Sequence, residues 1–360
     1  MLFTKIPLED CIMSSPFTPY LGTAPKTFEG RIKEIGYFKN FLKEAEENKP
    51  CSVLLTGQRG IGKTVLLKYF SGIAKQSRFY PVYLALDESS STPSTLAKRI
   101  FGRVRAILED EIISLKAKKL VGKFSPKVSI KFLQEMEVEI GSSLRVDDIN
   151  EDNFAISLGR LLGKRRVCIF TDETQSVLRN GVARFIVNTL YAELPEYASN
   201  WVFVLGGIPI LEEKILKATP ADRAFQKMEL FGLTVEEGTA ILQGTVKNTG
   251  VSFQKQACEQ IMQDTQGMPY YVQFFGDKLF NLIKAGDITE SFYLRNKNHI
   301  LEDLEQTVFS IRFSDLEKRG LYADVLLQFA FLDNSKGVSA NQVSSKIASY
   351  AGPYIKELET

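Results

Sequence analysis

Four stretches of this 360-residue chain are apolar at nearly every position: Ser52–Thr56, Pro81–Leu86, Val167–Phe170 and Trp201–Leu205. Short unbroken apolar runs bounded by turn residues predict strands buried on both faces, as in a parallel sheet. Elsewhere the period changes. From Arg31 to Glu46, residues Ile32, Ile35, Phe38, Phe41 and Leu42 recur at helical spacing, and further helical stretches separate the runs. This alternation predicts an α/β fold with helices covering a mostly parallel sheet. About eighty residues separate the second run from the third, too many for one crossover helix. Part of that insertion alternates (Val128, Ile130, Phe132, then Met136, Val138, Ile140), which predicts a hairpin.

From Thr234 the pattern is helical. Thr234 caps a helix to about Lys247, with Glu237 completing a capping box. A second helix runs from Gln254 to Thr265 and stops at Gly267; Pro269 opens a third, Tyr270 to Lys284. Two more helices, Leu321–Leu332 and Ser339–Ile347, and a short segment from Gly352 to Glu359 close the chain. The expected domains are 1–230 (with an insertion at about 88–160), 231–286 and 287–360.

Composition narrows the class. A hydrophobic content of 44% with 24% charged residues excludes a mainly disordered or fibrous chain. No run of eighteen apolar residues and no basic-then-apolar N-terminus is present, so a cytoplasmic protein is expected and no membrane partner. The four cysteines (Cys11, Cys51, Cys168, Cys258) show no CxxC spacing, which argues against a disulfide framework or zinc site. The single histidine, His299, has no nucleophile motif beside it, which disfavours Ser-His-Asp chemistry. Lys and Arg total 45 against 43 Asp and Glu. One stretch departs from that balance. Between Ala97 and Phe132 ten basic residues face three acids, a distribution that suits phosphates or solvated helix faces. The acids that follow, Glu135 to Asp152, could pair with it.

The strongest chemical signal follows the first strand. Gly57-Gln58-Arg59-Gly60-Ile61-Gly62-Lys63-Thr64 is GxxxxGK[ST] between a strand and a helix that starts Val65-Leu66-Leu67. Glycines let the backbone N–H groups wrap closely around phosphates, and the helix adds its positive end. Lys63 is expected at a solvent-facing loop end, reaching the β- and γ-phosphates, with the Thr64 hydroxyl on Mg2+. The third strand ends in Asp172-Glu173. Asp172 is the second candidate Mg2+ ligand, and Glu173 the base that polarises attacking water.

Together these residues resemble the AAA+ ATPases, in the prokaryotic branch allied to origin-recognition and STAND-type NTPases. Phe28-Glu29-Gly30-Arg31 with Glu34 is similar to a segment that precedes the loop and packs near adenine; Asp172-Glu173-Thr174-Gln175 resembles "DE-x-Q". Gly267-Met268-Pro269 looks like the "G-x-P" of the helical lid, and Arg223 falls where the branch places an arginine aimed at a γ-phosphate. The three C-terminal segments resemble a winged helix that stops before its wing, a truncated domain contacting either DNA or protein. The resemblance implies a P-loop parallel-sheet ATPase core, a helical lid, ATP and Mg2+ as cofactors, and Arg31 and Pro269 beside the nucleotide. It also implies double-stranded DNA, a protein partner, or a homo-oligomer in which Arg223 acts in trans.

Two features depart from the AAA+ pattern. Gly206-Gly207 ends the fourth strand where a polar γ-phosphate sensor is usual, and no arginine follows Gly267 in the lid helix. Three functions stay open at this point: a DNA-associated ATPase that loads or remodels a partner, a slow STAND-like nucleotide switch, or a protein-binding module with incidental turnover.

Overall fold

The computed structural model describes residues 14–309 other than 21, 121–137, 139, 142–143, 180 and 219–223. The helices expected at 321–332 and 339–347, the winged-helix reading and most of the 128–140 hairpin lie outside the described residues. Of that hairpin, Val138 and Ile140 are described, and both are helical rather than extended. Alternation over so few residues does not separate a strand from a helix that turns only one side inward.

Five strands make one parallel sheet in the order β2-β3-β4-β1-β5. They are β1 (Cys51–Thr56), β2 (Tyr80–Ala85), β3 (Val167–Asp172), β4 (Trp201–Gly207) and β5 (Gln226–Glu229). The apolar runs are continuous because consecutive side chains enter different cores. Leu54, Val167, Ile169, Trp201, Phe203 and Leu205 pack on one face. Val53, Leu55, Cys168, Phe170, Val202 and Val204 pack on the other. Each face is closed by helices. The first takes α3 (Pro93–Leu120), α4 (Phe154–Leu162) and α5 (Val182–Asn188). The second takes α1 (Ile32–Glu46) and α2 (Lys63–Gln76), where Phe38 stacks on Phe70 with ring centroids 4.2 Å apart.

β5 has no counterpart in the sequence pattern. It reads Gln-Lys-Met-Glu, pairs only with β1, and buries only Met228. As an edge strand it carries one apolar residue in four, too little for any periodicity to register.

The chain divides into two compact units, one of residues up to 247 together with 261–277, the other of 248–260 together with the segment from 278 onward. In the first, α6 (Ile210–Ala218) follows β4 and α7 (Val235–Thr245) follows β5. Thr234 Oγ1 accepts the N–H of Glu237 and Glu237 Oε2 accepts that of Thr234, the expected capping box. In the second, β6 (Val251–Phe253) and β7 (Gly286–Ile288) form a parallel pair that the helical reading of this region missed, since three residues carry no period. Helices α8 (Lys255–Thr265) and α9 (Pro269–Ile283) run through both units, and α10 (Glu290–Leu304) completes the second. Pro269 takes the first-turn position of α9, where its missing N–H costs nothing.

Candidate functional site

The site forms where the carboxyl ends of β1 and β3 lie on either side of β4. β1 runs into the glycine-rich loop, and α2 starts directly after it at Lys63. Gly62 precedes the helix at φ +93°, a conformation that side chains rarely adopt. It offers no side-chain cap, so the first N–H groups of α2 keep their demand for an acceptor. Gly60, at φ +82°, has a second constraint: a Cβ there would come within 3.2 Å of Tyr270 Cβ. The loop is thus packed against the start of α9, and the N–H of Tyr270 donates to the Gly60 carbonyl at 3.2 Å. Pro269 lies at the same contact, with Cγ 3.9 Å from where a Gly62 Cβ would stand.

Lys63 is buried rather than solvent-facing, with 6% of its surface exposed. Its ammonium folds back across the loop and donates to the carbonyls of Gly57 at 2.8 Å and Gln58 at 2.9 Å. Burial lowers its proton affinity, while the Glu173 and Asp172 carboxylates oppose that shift. Gln58 and Arg59 are exposed at the loop tip, and Ile61 is buried beneath it. Val65 follows Thr64 in the first turn of α2.

Asp172 ends β3 almost fully buried and takes three hydrogen bonds. Oδ2 accepts from the Thr64 hydroxyl at 2.6 Å and from Tyr83 at 2.9 Å; Oδ1 accepts the N–H of Glu173 at 3.0 Å. Thr64 and Asp172, 108 residues apart, are thereby joined. Tyr83 was not singled out in the sequence. It sits on β2, next to β3 in the sheet, two residues before Ala85, the register partner of Asp172. Burial first, and then Asp172, push its phenol above the ordinary range. Glu173 adopts a left-handed conformation at φ +55°, a strained geometry for a non-glycine residue. Its Oε2 accepts from Gln175.

Arg31, also left-handed at φ +59°, reaches the loop from the other side, donating from Nη2 to the Ile61 carbonyl at 3.0 Å. Its own N–H donates to Glu237 Oε1 at 3.3 Å, so the capping glutamate of α7 also fixes the segment leading into α1.

The residues present fit a nucleotide with Mg2+. The donors are hard oxygens, the Thr64 hydroxyl and the Asp172 carboxylate, within hydrogen-bond distance of each other. The loop supplies glycines that crowding (Gly57, Gly60) or positive φ (Gly60, Gly62) requires, and Lys63 the buried cation.

At the end of β4 the glycines are required by space. A Cβ on Gly206 would lie 2.8 Å from Leu67 Cδ1 and 2.9 Å from the Thr171 carbonyl. No sensor side chain is accommodated there. Arg223 lies outside the described residues. His299 is exposed on α10, 4.0 Å from Glu302. A cavity of about 690 Å3 lined by Glu151, Asp152, Arg184 and Glu193 among others shares no residue with this constellation.

No protein-family model matches the chain, and no curated protein matches it. Solved structures do. The chain is similar to the Aeropyrum pernix ORC2 protein in its ADPNP-ADP complexes, at 14% identity and a TM-score of 0.57, covering 94% of this chain and 88% of that one. The ADP form of the same protein matches at 14% identity and a TM-score of 0.55, with the same coverage. At this identity the likeness establishes the architecture and nothing finer: the parallel sheet and its helices share the fold of that protein.

Proposed function

We propose that this chain is a Mg2+-dependent ATP-binding and ATP-hydrolysing protein of slow turnover. The hydrogen bond between Thr64 and Asp172 carries the reading, because it joins the glycine-rich loop's helix to the acidic end of a neighbouring strand. The complexes named for the similar ORC2 structure, ADPNP and ADP, support an adenine nucleotide as ligand.

In this reading the N–H groups from Gly57 to Val65 hold the phosphates, and Lys63 exchanges its two loop carbonyls for phosphate oxygens. Bound Mg2+, held through Thr64 and Asp172, would neutralise phosphate charge. Among the described residues no three His, Cys, Asp or Glu converge on a cation. A hard cation held by Thr64 and Asp172 would take further ligands from phosphate and water. Glu173 takes the proton of the attacking water on its carboxylate. Arg31 holds the loop through Ile61, and Pro269 sets the start of α9 against it. Arg223 completes the charge stabilisation from a neighbouring copy.

We take the role to be that of a DNA-associated ATPase that loads or remodels a partner, with 231–286 as lid and 287–360 as the winged-helix-like contact domain. Part of the basic stretch is committed within the chain. Arg99 pairs with Asp87 at 3.0 Å and Arg105 with Glu109 at 2.8 Å. Arg103 is exposed and Lys98 half-exposed on the same helix. One observation favours the slow nucleotide switch as second reading: β4 ends in two glycines that exclude a sensor side chain. Duplex binding that strengthens with ATP and weakens with salt supports the DNA role. ATP-driven oligomerisation without duplex binding supports the switch.

The chemistry is tested by Glu173→Gln, which keeps shape and removes the base. ATP binding should stay intact while hydrolysis falls by ~10²-fold or more. Unchanged turnover would remove Glu173 from the catalytic role.

A further inference from the structure

Gln175 stands two residues beyond Glu173, in the tight turn Thr174–Val177. Both ends of its amide are engaged. Nε2 donates to Glu173 Oε2 at 2.5 Å, and Oε1 accepts the backbone N–H of Ile208, just past β4, at 3.2 Å. The partners fix which way the amide points. A backbone N–H only donates, so oxygen must face Ile208; an ionised carboxylate only accepts, so the amide NH2 must face Glu173.

The bridge needs an empty place at the end of β4. A Cβ on Gly207 would lie 2.6 Å from Gln175 Oε1 and 2.8 Å from Leu211 Cδ2. Gly207 is not among the residues with positive φ, so backbone conformation does not demand glycine here. Space does. The strand ends without a polar side chain, and a polar side chain from the neighbouring turn fills the vacated position.

We propose that Gln175 is a positioning residue that ties the Glu173 carboxylate to the end of β4, and that Gly207 is glycine in order to admit it. This rests on the reading of Glu173 as the base. Glu173 begins a strained turn with no side-chain cap of its own. The amide bridge is what restricts its carboxylate to one direction. Turnover then depends on Gln175, and ATP affinity does not.

The experiment compares ATP binding by calorimetry and single-turnover ATP hydrolysis for the full chain and for E173Q, Q175A, Q175M and G207A. Gln175 is half-buried, and Q175M keeps its length without a donor, so the pair separates lost volume from the lost hydrogen bond. Q175A and Q175M should both slow hydrolysis by roughly tenfold or more, with the ATP dissociation constant within about twofold of the parent. G207A should slow it as well, and should slow it by a smaller factor in a Q175A background, where only the crowding against Leu211 remains. Q175A and Q175M hydrolysing at or above the parent rate, while E173Q is slow, would overturn the proposal and leave Glu173 as the base. E173Q as fast as the parent would overturn both.

Discussion

Single residues here hold their positions through very short chains of cause. Lys63 is the plainest case. Its place in the motif is legible in the sequence, but its burial is not, because the two carbonyls that receive it belong to a loop whose path depends on left-handed glycines. Gln175 is similar: the residue is visible, its partner at Ile208 is not, since no spacing rule links a turn to a strand 33 residues on. Tyr83 escaped notice because a tyrosine in an apolar strand reads as core. Cys51, Cys168 and Cys258 are buried. Burial, with Glu44 adding to it, pushes the Cys51 thiol up to about 12, and burial also raises Cys168. At pH 8 the reactive thiolate at Cys51 is then ~10⁻⁴ of the total. Native protein treated with iodoacetamide should leave Cys51 and Cys168 unmodified by peptide mass analysis, and denatured protein should not. Rapid native labelling at either would contradict their burial.

At the level of elements, legibility followed burial. β1, β3 and β4 lie inside the sheet with both faces covered, so every residue is under the same apolar demand and the run stands out. β5, β6 and β7 answer to one neighbour each; β5 buries one residue in four, and β6 and β7 are only three residues long. The capping box of α7 was legible because Thr234 and Glu237 satisfy each other locally. Its second duty was not, for Glu237 also accepts the N–H of Arg31, 206 positions away. That double use raises the cost of losing it. Thr234→Ala should destabilise by ~1 kcal/mol, as for an ordinary N-cap. Glu237→Ala should cost more, since it leaves two N–H groups without an acceptor. Chemical denaturation of both variants gives the order directly. Equal losses would mean that the Arg31 contact contributes nothing.

For the whole molecule, the fold was readable from the alternation of buried strands with helices and from the one motif that needs such a context. Assembly is the level at which the sequence says least, because a residue serving a neighbour leaves no pattern in its own chain. If Arg223 completes the site of a second copy, hydrolysis depends on protein concentration. Arginines supplied this way are worth ~10³–10⁵ in rate in other NTPases. Arg223→Ala and Lys63→Ala proteins should each be inactive alone and regain activity when mixed, since each lacks a different half of a shared site. A mixture that stays inactive while both proteins self-associate would place Arg223 in cis or in the fold.

The central claim is that the loop from Gly57 to Thr64 binds ATP through a buried lysine and a Thr64–Asp172 metal pair. Isothermal calorimetry of Mg2+-ATP against the full chain and against Lys63→Ala tests it most directly. The account predicts saturable binding by the parent and loss of most of that affinity in Lys63→Ala, with an unchanged circular dichroism spectrum showing the fold intact. Equal ATP affinity in the two proteins would contradict it.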